Sequence, residues 1–153
     1  MIEMNRLKGL LPIDVQETLS KYSAKWAYFH PEYLKAVNEY YRNFTCRLAD
    51  WPAEVKRTMD EISVPVYLTM SGPNEFTTLG NLRDWDVTRR LSEIHIPTLV
   101  IGGRYDQITP KIAETIHSGI PGSKLVIFEN SAHVPMWEEQ DKYLKVLKEF
   151  ILS

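Results

Sequence analysis

Two residues are spaced for proton-transfer chemistry. Asp106 follows the apolar run Thr98-Leu99-Val100-Ile101-Gly102, and His133 follows the run Lys124-Leu125-Val126-Ile127-Phe128. If both runs are strands, each residue stands just past a C-terminal strand end, where open α/β sheets hold their ligands. A carboxylate on an imidazole fixes the tautomer and stabilises the imidazolium, which is what a histidine needs to serve as general base toward a serine. Taken singly, the bland readings are a capping aspartate and a surface histidine; their occurrence at equivalent strand ends favours the paired reading. The hydroxyl itself is not supplied. No serine has glycine both two before and two after it, so the chain contains no G-x-S-x-G nucleophile elbow. Cys46 lies in a helical pattern with no motif beside it and reads as a packed, inert thiol. His30, His95 and His117 have no partners at metal-ligand spacing, and neither a metal nor a cofactor is expected.

The elements that must place this pair alternate. Strands are expected at Thr98–Gly102 and Lys124–Phe128 and helices at Pro110–His117 and about Lys142–Leu152, with a short helix over Val87–Leu91. This is the order of a parallel α/β sheet. The run Thr98–Gly102 is nearly continuous in apolar residues, as in strands covered on both faces. Two strands cannot supply such a sheet, since independent stability normally needs about three. The chain therefore reads as the back part of a larger α/β unit, the alternative being a further strand hidden within residues 63–83. Ahead of this part the pattern is helical. Val15, Leu19 and Tyr22 recur after Pro12; Leu34, Val37, Tyr41 and Phe44 recur after Pro31; Val55, Met59 and Ile62 recur after Pro52, with Asp50 as a capping signal. Residues 63–83 gather Pro65, Gly72, Pro73, Asn74 and Gly80 and read as a long ordered loop. The expected division is 1–85 for helices and loop and 86–153 for the α/β part.

Composition narrows the function classes. The 153 residues are 44% hydrophobic and 25% charged, as in a globular protein, with a net charge of −2. No basic field exists for phosphate backbones or anionic lipid, and no apolar run approaches the roughly 18 residues of a membrane span. Neither nucleic acid nor membrane is an expected partner. The N-terminus lacks the uninterrupted hydrophobic centre of a secretory signal, and a single cysteine suits a reducing compartment, so the cytoplasm is the expected location.

The pattern strand-G-x-x-D-x-x-T-P-helix-strand-x-x-x-x-H resembles the end of the α/β-hydrolase fold, whose triad runs serine, acid, histidine along the chain. Met70-Ser71-Gly72-Pro73-Asn74-Glu75-Phe76, then Gly80, then Trp85-Asp86-Val87-Thr88, is similar to the cap-to-core passage of the prolyl aminopeptidases, or proline iminopeptidases, of the tricorn-interacting-factor type. The similarity covers essentially the entire chain and corresponds to the C-terminal portion of that family: a helical cap followed by the acid and histidine half. The resemblance implies that Asp106 and His133 are catalytic and that Glu75 receives the ammonium of a peptide substrate. It also implies that the oxyanion-hole loop lies in an N-terminal portion absent here. Some members carry a second acidic residue directly after the acid; this chain has Gln107, expected with Glu75 to bind substrate but one negative charge short. Aromatic residues of cap and loop are expected to form an apolar pocket for a prolyl or other hydrophobic N-terminal residue. Two functions follow: part of a serine aminopeptidase, inactive alone and completed by a second chain carrying the nucleophile; or a non-catalytic module that self-associates through its open sheet edge.

Overall fold

The computed structural model describes residues 6–153. Two compact units appear, one formed by the residues up to Asn43 together with Ala49–Trp85, the other by Phe44–Leu48 with Asp86–Ser153.

The first unit is helical: α1 (Ile13–Ser23), α2 (Pro31–Phe44), α3 (Ala53–Asp60) and α4 (Val64–Met70). Prolines set the starts of these helices, as their fixed φ and missing N–H allow. Pro12 and Pro52 hold extended backbone immediately before α1 and α3. Asp50 does not cap α3; the capping position is Pro52, and no side chain bonds there. In α2 the buried stripe is Tyr33, Ala36, Val37, Tyr40 and Phe44, whereas Leu34 is exposed and Tyr41 half-buried. This face is rotated from the expected one because the 74–76 segment anchors two tyrosines. Asn74 Nδ2 donates to the Tyr33 hydroxyl at 2.8 Å, and the Tyr40 ring lies 4.6 Å from that of Phe76.

The expected loop over 63–83 is partly helix. Pro65 sits in the first turn of α4, where its missing N–H costs nothing, so it starts a helix here rather than a turn. The chain then folds back on α4. Leu79 and Gly80 N–H both donate to the Ser71 carbonyl at 3.0 Å, and Leu82 N–H donates to that of Met70 at 3.0 Å. A Cβ on Gly80 would come within 2.2 Å of the Met70 carbonyl oxygen, so only glycine fits that return. Within residues 63–83 the strand-like feature is an isolated antiparallel bridge between Asn74 and Thr77.

The second unit runs through a 3₁₀ turn (Thr88–Glu93), β1 (Leu99–Gly103), α5 (Pro110–Gly119), β2 (Lys124–Phe128), α6 (Pro135–Glu138) and α7 (Gln140–Ile151). The strands are parallel, with Leu99 opposite Lys124 and Gly103 opposite Phe128. Each spans five residues and α5 makes the crossover, packing on both strands. Leu99, Val100, Ile101, Leu125, Val126 and Ile127 are only half-buried, because among the described residues β1 and β2 make a sheet of two.

Candidate functional site

The two strand ends are tied together before either functional side chain begins. Arg104 N–H donates to the Phe128 carbonyl at 2.9 Å, and Tyr105 N–H to that of Ser131 at 3.0 Å. A Cβ on Gly103 would lie 2.0 Å from the Ala132 carbonyl oxygen and 2.4 Å from that of Ser131. Glycine is therefore the residue that lets the β1 loop press against the β2 loop. The Phe44–Leu48 segment is bonded along both loops, its Phe44 carbonyl accepting from Gln107 N–H and its Thr45 carbonyl from His133 N–H, each at 3.0 Å.

This framework brings Asp106 Oδ1 to 2.9 Å from His133 Nδ1. The same oxygen accepts the Ile108 N–H at 2.7 Å, an Asx turn that fixes the carboxylate before the imidazole arrives. Asp106 is 5% exposed, whereas the His133 side chain is 45% exposed. A carboxylate only accepts, so Nδ1 carries the proton and the basic lone pair of the neutral ring belongs to Nε2. The arrangement can orient an imidazole and stabilise its protonated form, which is the acid–histidine half of a proton relay.

Gln107 is 6% exposed, and its side-chain oxygen accepts from the Thr45 hydroxyl at 3.3 Å. Glu75 belongs to the other unit. Its Oε1 accepts from the Tyr67 hydroxyl at 2.8 Å, and the Tyr41 hydroxyl also interacts with the same carboxylate. It borders a cavity of about 160 Å³ whose other lining includes Phe29, Tyr41, Met59, Ile62 and Leu68. Burial, and then the nearby Glu75 charge, push the Tyr41 and Tyr67 hydroxyls well above the usual phenol range, so both stay protonated as donors. A recess with an apolar wall and one carboxylate suits a small organic cation.

Cys46 is fully buried, and burial raises its thiol, which opposes thiolate formation. His30 stacks on Tyr22 at 4.1 Å, and His117 Nδ1 lies 2.8 Å from Ser123 Oγ. Among the described residues no three His, Cys, Asp or Glu side chains are grouped to hold a metal ion, and no helix is long and apolar enough to cross a membrane. Trp137, a turn after His133, is 37% exposed.

Several residues of the site carried no sequence signal. Thr45 contributes a backbone carbonyl, which any residue type supplies. Tyr67 stood among expected loop residues and became a Glu75 partner only because α4 is a helix. Glu138 and Glu139 belong to no motif in the sequence, yet both accept bonds from the histidine loop.

The chain is 49% identical over 150 residues to a proline iminopeptidase of Saccharolobus solfataricus, covering 97% of this chain and 48% of that protein. It is 42% identical to a proline iminopeptidase of Thermoplasma volcanium, covering 97% of this chain and 51% of that protein. Among solved structures it superposes on VinJ with a TM-score of 0.92 at 41% identity, over 97% of this chain and 51% of that one. It also superposes on the proline iminopeptidase of Mycobacterium smegmatis with a TM-score of 0.84 at 33% identity, over 97% of this chain and 50% of that one. No family model matches. The chain thus spans about half the length of the relatives it matches.

Proposed function

We propose that the chain, which is similar to the proline iminopeptidases over about half their length, supplies the acid, the histidine and the amine recess of a serine aminopeptidase of the α/β-hydrolase fold. The observation that carries this reading is the 2.9 Å contact between Asp106 Oδ1 and His133 Nδ1 at the ends of two parallel strands. His133 Nε2 takes the proton of a serine hydroxyl as that oxygen attacks the carbonyl of the first peptide bond. It then returns the proton to the departing amine, and repeats the transfer with water to free the N-terminal residue. Asp106 holds the ring and balances its transient positive charge. Glu75 receives the substrate's N-terminal ammonium, and the apolar recess beside it takes a prolyl or other hydrophobic side chain. The serine and the oxyanion hole come from a second polypeptide portion.

The test mixes this chain with a polypeptide carrying the G-x-S-x-G half of a proline iminopeptidase and follows a chromogenic prolyl amide. Proline release is expected from the mixture and from neither part alone, and Asp106→Asn lowers it by about 10⁴-fold, as for other triad acids. A mixture that forms a stable complex but releases nothing would overturn the reading.

A second reading rests on the half-buried apolar strands: a non-catalytic module that pairs through its sheet edge. It expects self-association and no contribution of His133 to any turnover.

A further inference from the structure

The loop that carries His133 is held by bonds outside the acid–histidine pair. His133 N–H donates to the Thr45 carbonyl at 3.0 Å. One residue earlier, Ala132 N–H donates to Glu138 Oε2 at 2.7 Å, and Glu138 Oε1 accepts from Arg47 N–H at 2.8 Å. One carboxylate thus bridges the residue before His133 and the segment on which His133 is hung. Arg47 is itself anchored, its guanidinium lying 3.6 Å from the ring centre of Tyr105, next to Asp106. The start of the loop is tied separately, since Glu139 Oε2 accepts from Asn130 N–H at 3.0 Å and from the Ser131 hydroxyl at 2.6 Å. Ala132 is fully buried, so water is not a ready substitute partner for its N–H.

We propose that Glu138 is a positioning residue for His133: its carboxylate clamps the Ala132 and Arg47 peptide groups so that the imidazole stays bonded to Asp106. Both partners of Glu138 are donors, so only a group with two acceptor oxygens satisfies both. Glutamine of the same shape presents one oxygen and one NH₂, and the NH₂ must face an N–H, which breaks one arm of the clamp. Aspartate is a methylene too short to reach both. What the clamp does for catalysis rests on the function proposed above; the clamp itself belongs to this chain.

Its test therefore uses no activity. Imidazole ¹⁵N resonances of the 153-residue chain at alkaline pH report the His133 tautomer, and amide exchange reports the loop. In the unsubstituted chain the Nδ1–H tautomer is expected, with Ala132 and Arg47 amides protected. In Glu138→Gln the tautomer population shifts toward Nε2–H, and those two amides exchange about tenfold faster or more while β1 and β2 amides keep their protection. Glu138→Ala should show the larger change, and if it does not fold, Glu138→Gln decides. An unchanged tautomer in a folded Glu138→Gln chain overturns the proposal. So does loss of the whole sheet in that variant, since Glu138 would then set the fold rather than the histidine. Failure of the reconstituted peptide release, with the clamp intact, would count against the function alone.

Discussion

Glu75 shows how much one side chain depends on its partner. Its Oε1 is held by the Tyr67 hydroxyl at 2.8 Å, with the Tyr41 hydroxyl on the same carboxylate. Removing the hydroxyl leaves a partly buried carboxylate with neither oxygen bonded to Tyr67. A hydrogen bond to a charged group contributes about 1.5–3 kcal/mol, and the lower end applies because Glu75 is not fully buried. Tyr67→Phe is therefore expected to lower the stability of the chain by about 1–2 kcal/mol in urea unfolding. Within the reconstituted enzyme it should raise KM more than it lowers kcat, because the ammonium recess is misplaced while the Asp106–His133 pair is untouched. An unchanged midpoint would mean that water serves Glu75 as well as Tyr67 does. The Asp106–His133 contact was legible in the sequence because strand ends mark both residues, whereas Glu75 was singled out only by the motif around it and its role is part of the proposal. Tyr67, Thr45 and Glu138 were not, since a partner brought in by a turn or by a backbone carbonyl leaves no residue-type signature.

At the scale of the element, the strands and the α5 crossover lay close to their expected limits because apolar period and the Pro110 start agree there. The misread stretch was Val64–Met70, seven residues beginning with Val-Pro-Val, where β-branched residues and a proline argue locally against the helix that tertiary context imposes. Close approaches of backbone were equally invisible. Gly103→Ala would drive a methyl to 2.0 Å from one carbonyl oxygen and 2.4 Å from another, neither on a flexible side chain. It is expected to part the two loops, costing at least about 3 kcal/mol and separating Asp106 from His133; the readout is the urea midpoint together with the His133 tautomer. The start of α7 gives a pH dependence. Burial alone would raise the Glu139 carboxyl, but bonds from the Ser131 hydroxyl and Asn130 N–H, with the Lys142 charge, outweigh it and hold the group below its ordinary 4.5. A depressed carboxylate stabilises the fold above its unfolded value and loses that contribution as pH falls through the folded one. Glu139→Gln should accordingly melt earlier than the unsubstituted chain at neutral pH, with the gap closing as pH falls below the ordinary 4.5 and through the depressed value of the folded chain. A gap that persists in acid would assign the effect to packing instead.

For the whole molecule the deciding feature is the outer edge of β1. Lys124 N–H bonds the Thr98 carbonyl, and Arg104 N–H bonds that of Phe128. In a parallel ladder the peptide groups alternate, so Thr98, Val100, Gly102 and Arg104 face β2 while Leu99 and Ile101 present theirs to the open side. That edge is apolar, whereas β2 starts with Lys124, a residue that discourages strand addition. An unblunted edge beside half-buried Val100 and Ile101 invites another strand, whether from a second copy or from the nucleophile-bearing portion proposed above. The purified chain is expected to associate with rising concentration in light scattering. Leu99→Pro tests the route, since proline at a strand's first residue removes an outward N–H without touching the β1–β2 bonds. It should weaken association about tenfold, equivalent to roughly 1.4 kcal/mol. If the same edge receives the nucleophile half, adding that polypeptide should dissolve the self-associated form as peptide release appears, and Leu99→Pro should impair both. A chain that stays monomeric at every concentration would remove the edge from the account and leave the helices as the docking surface.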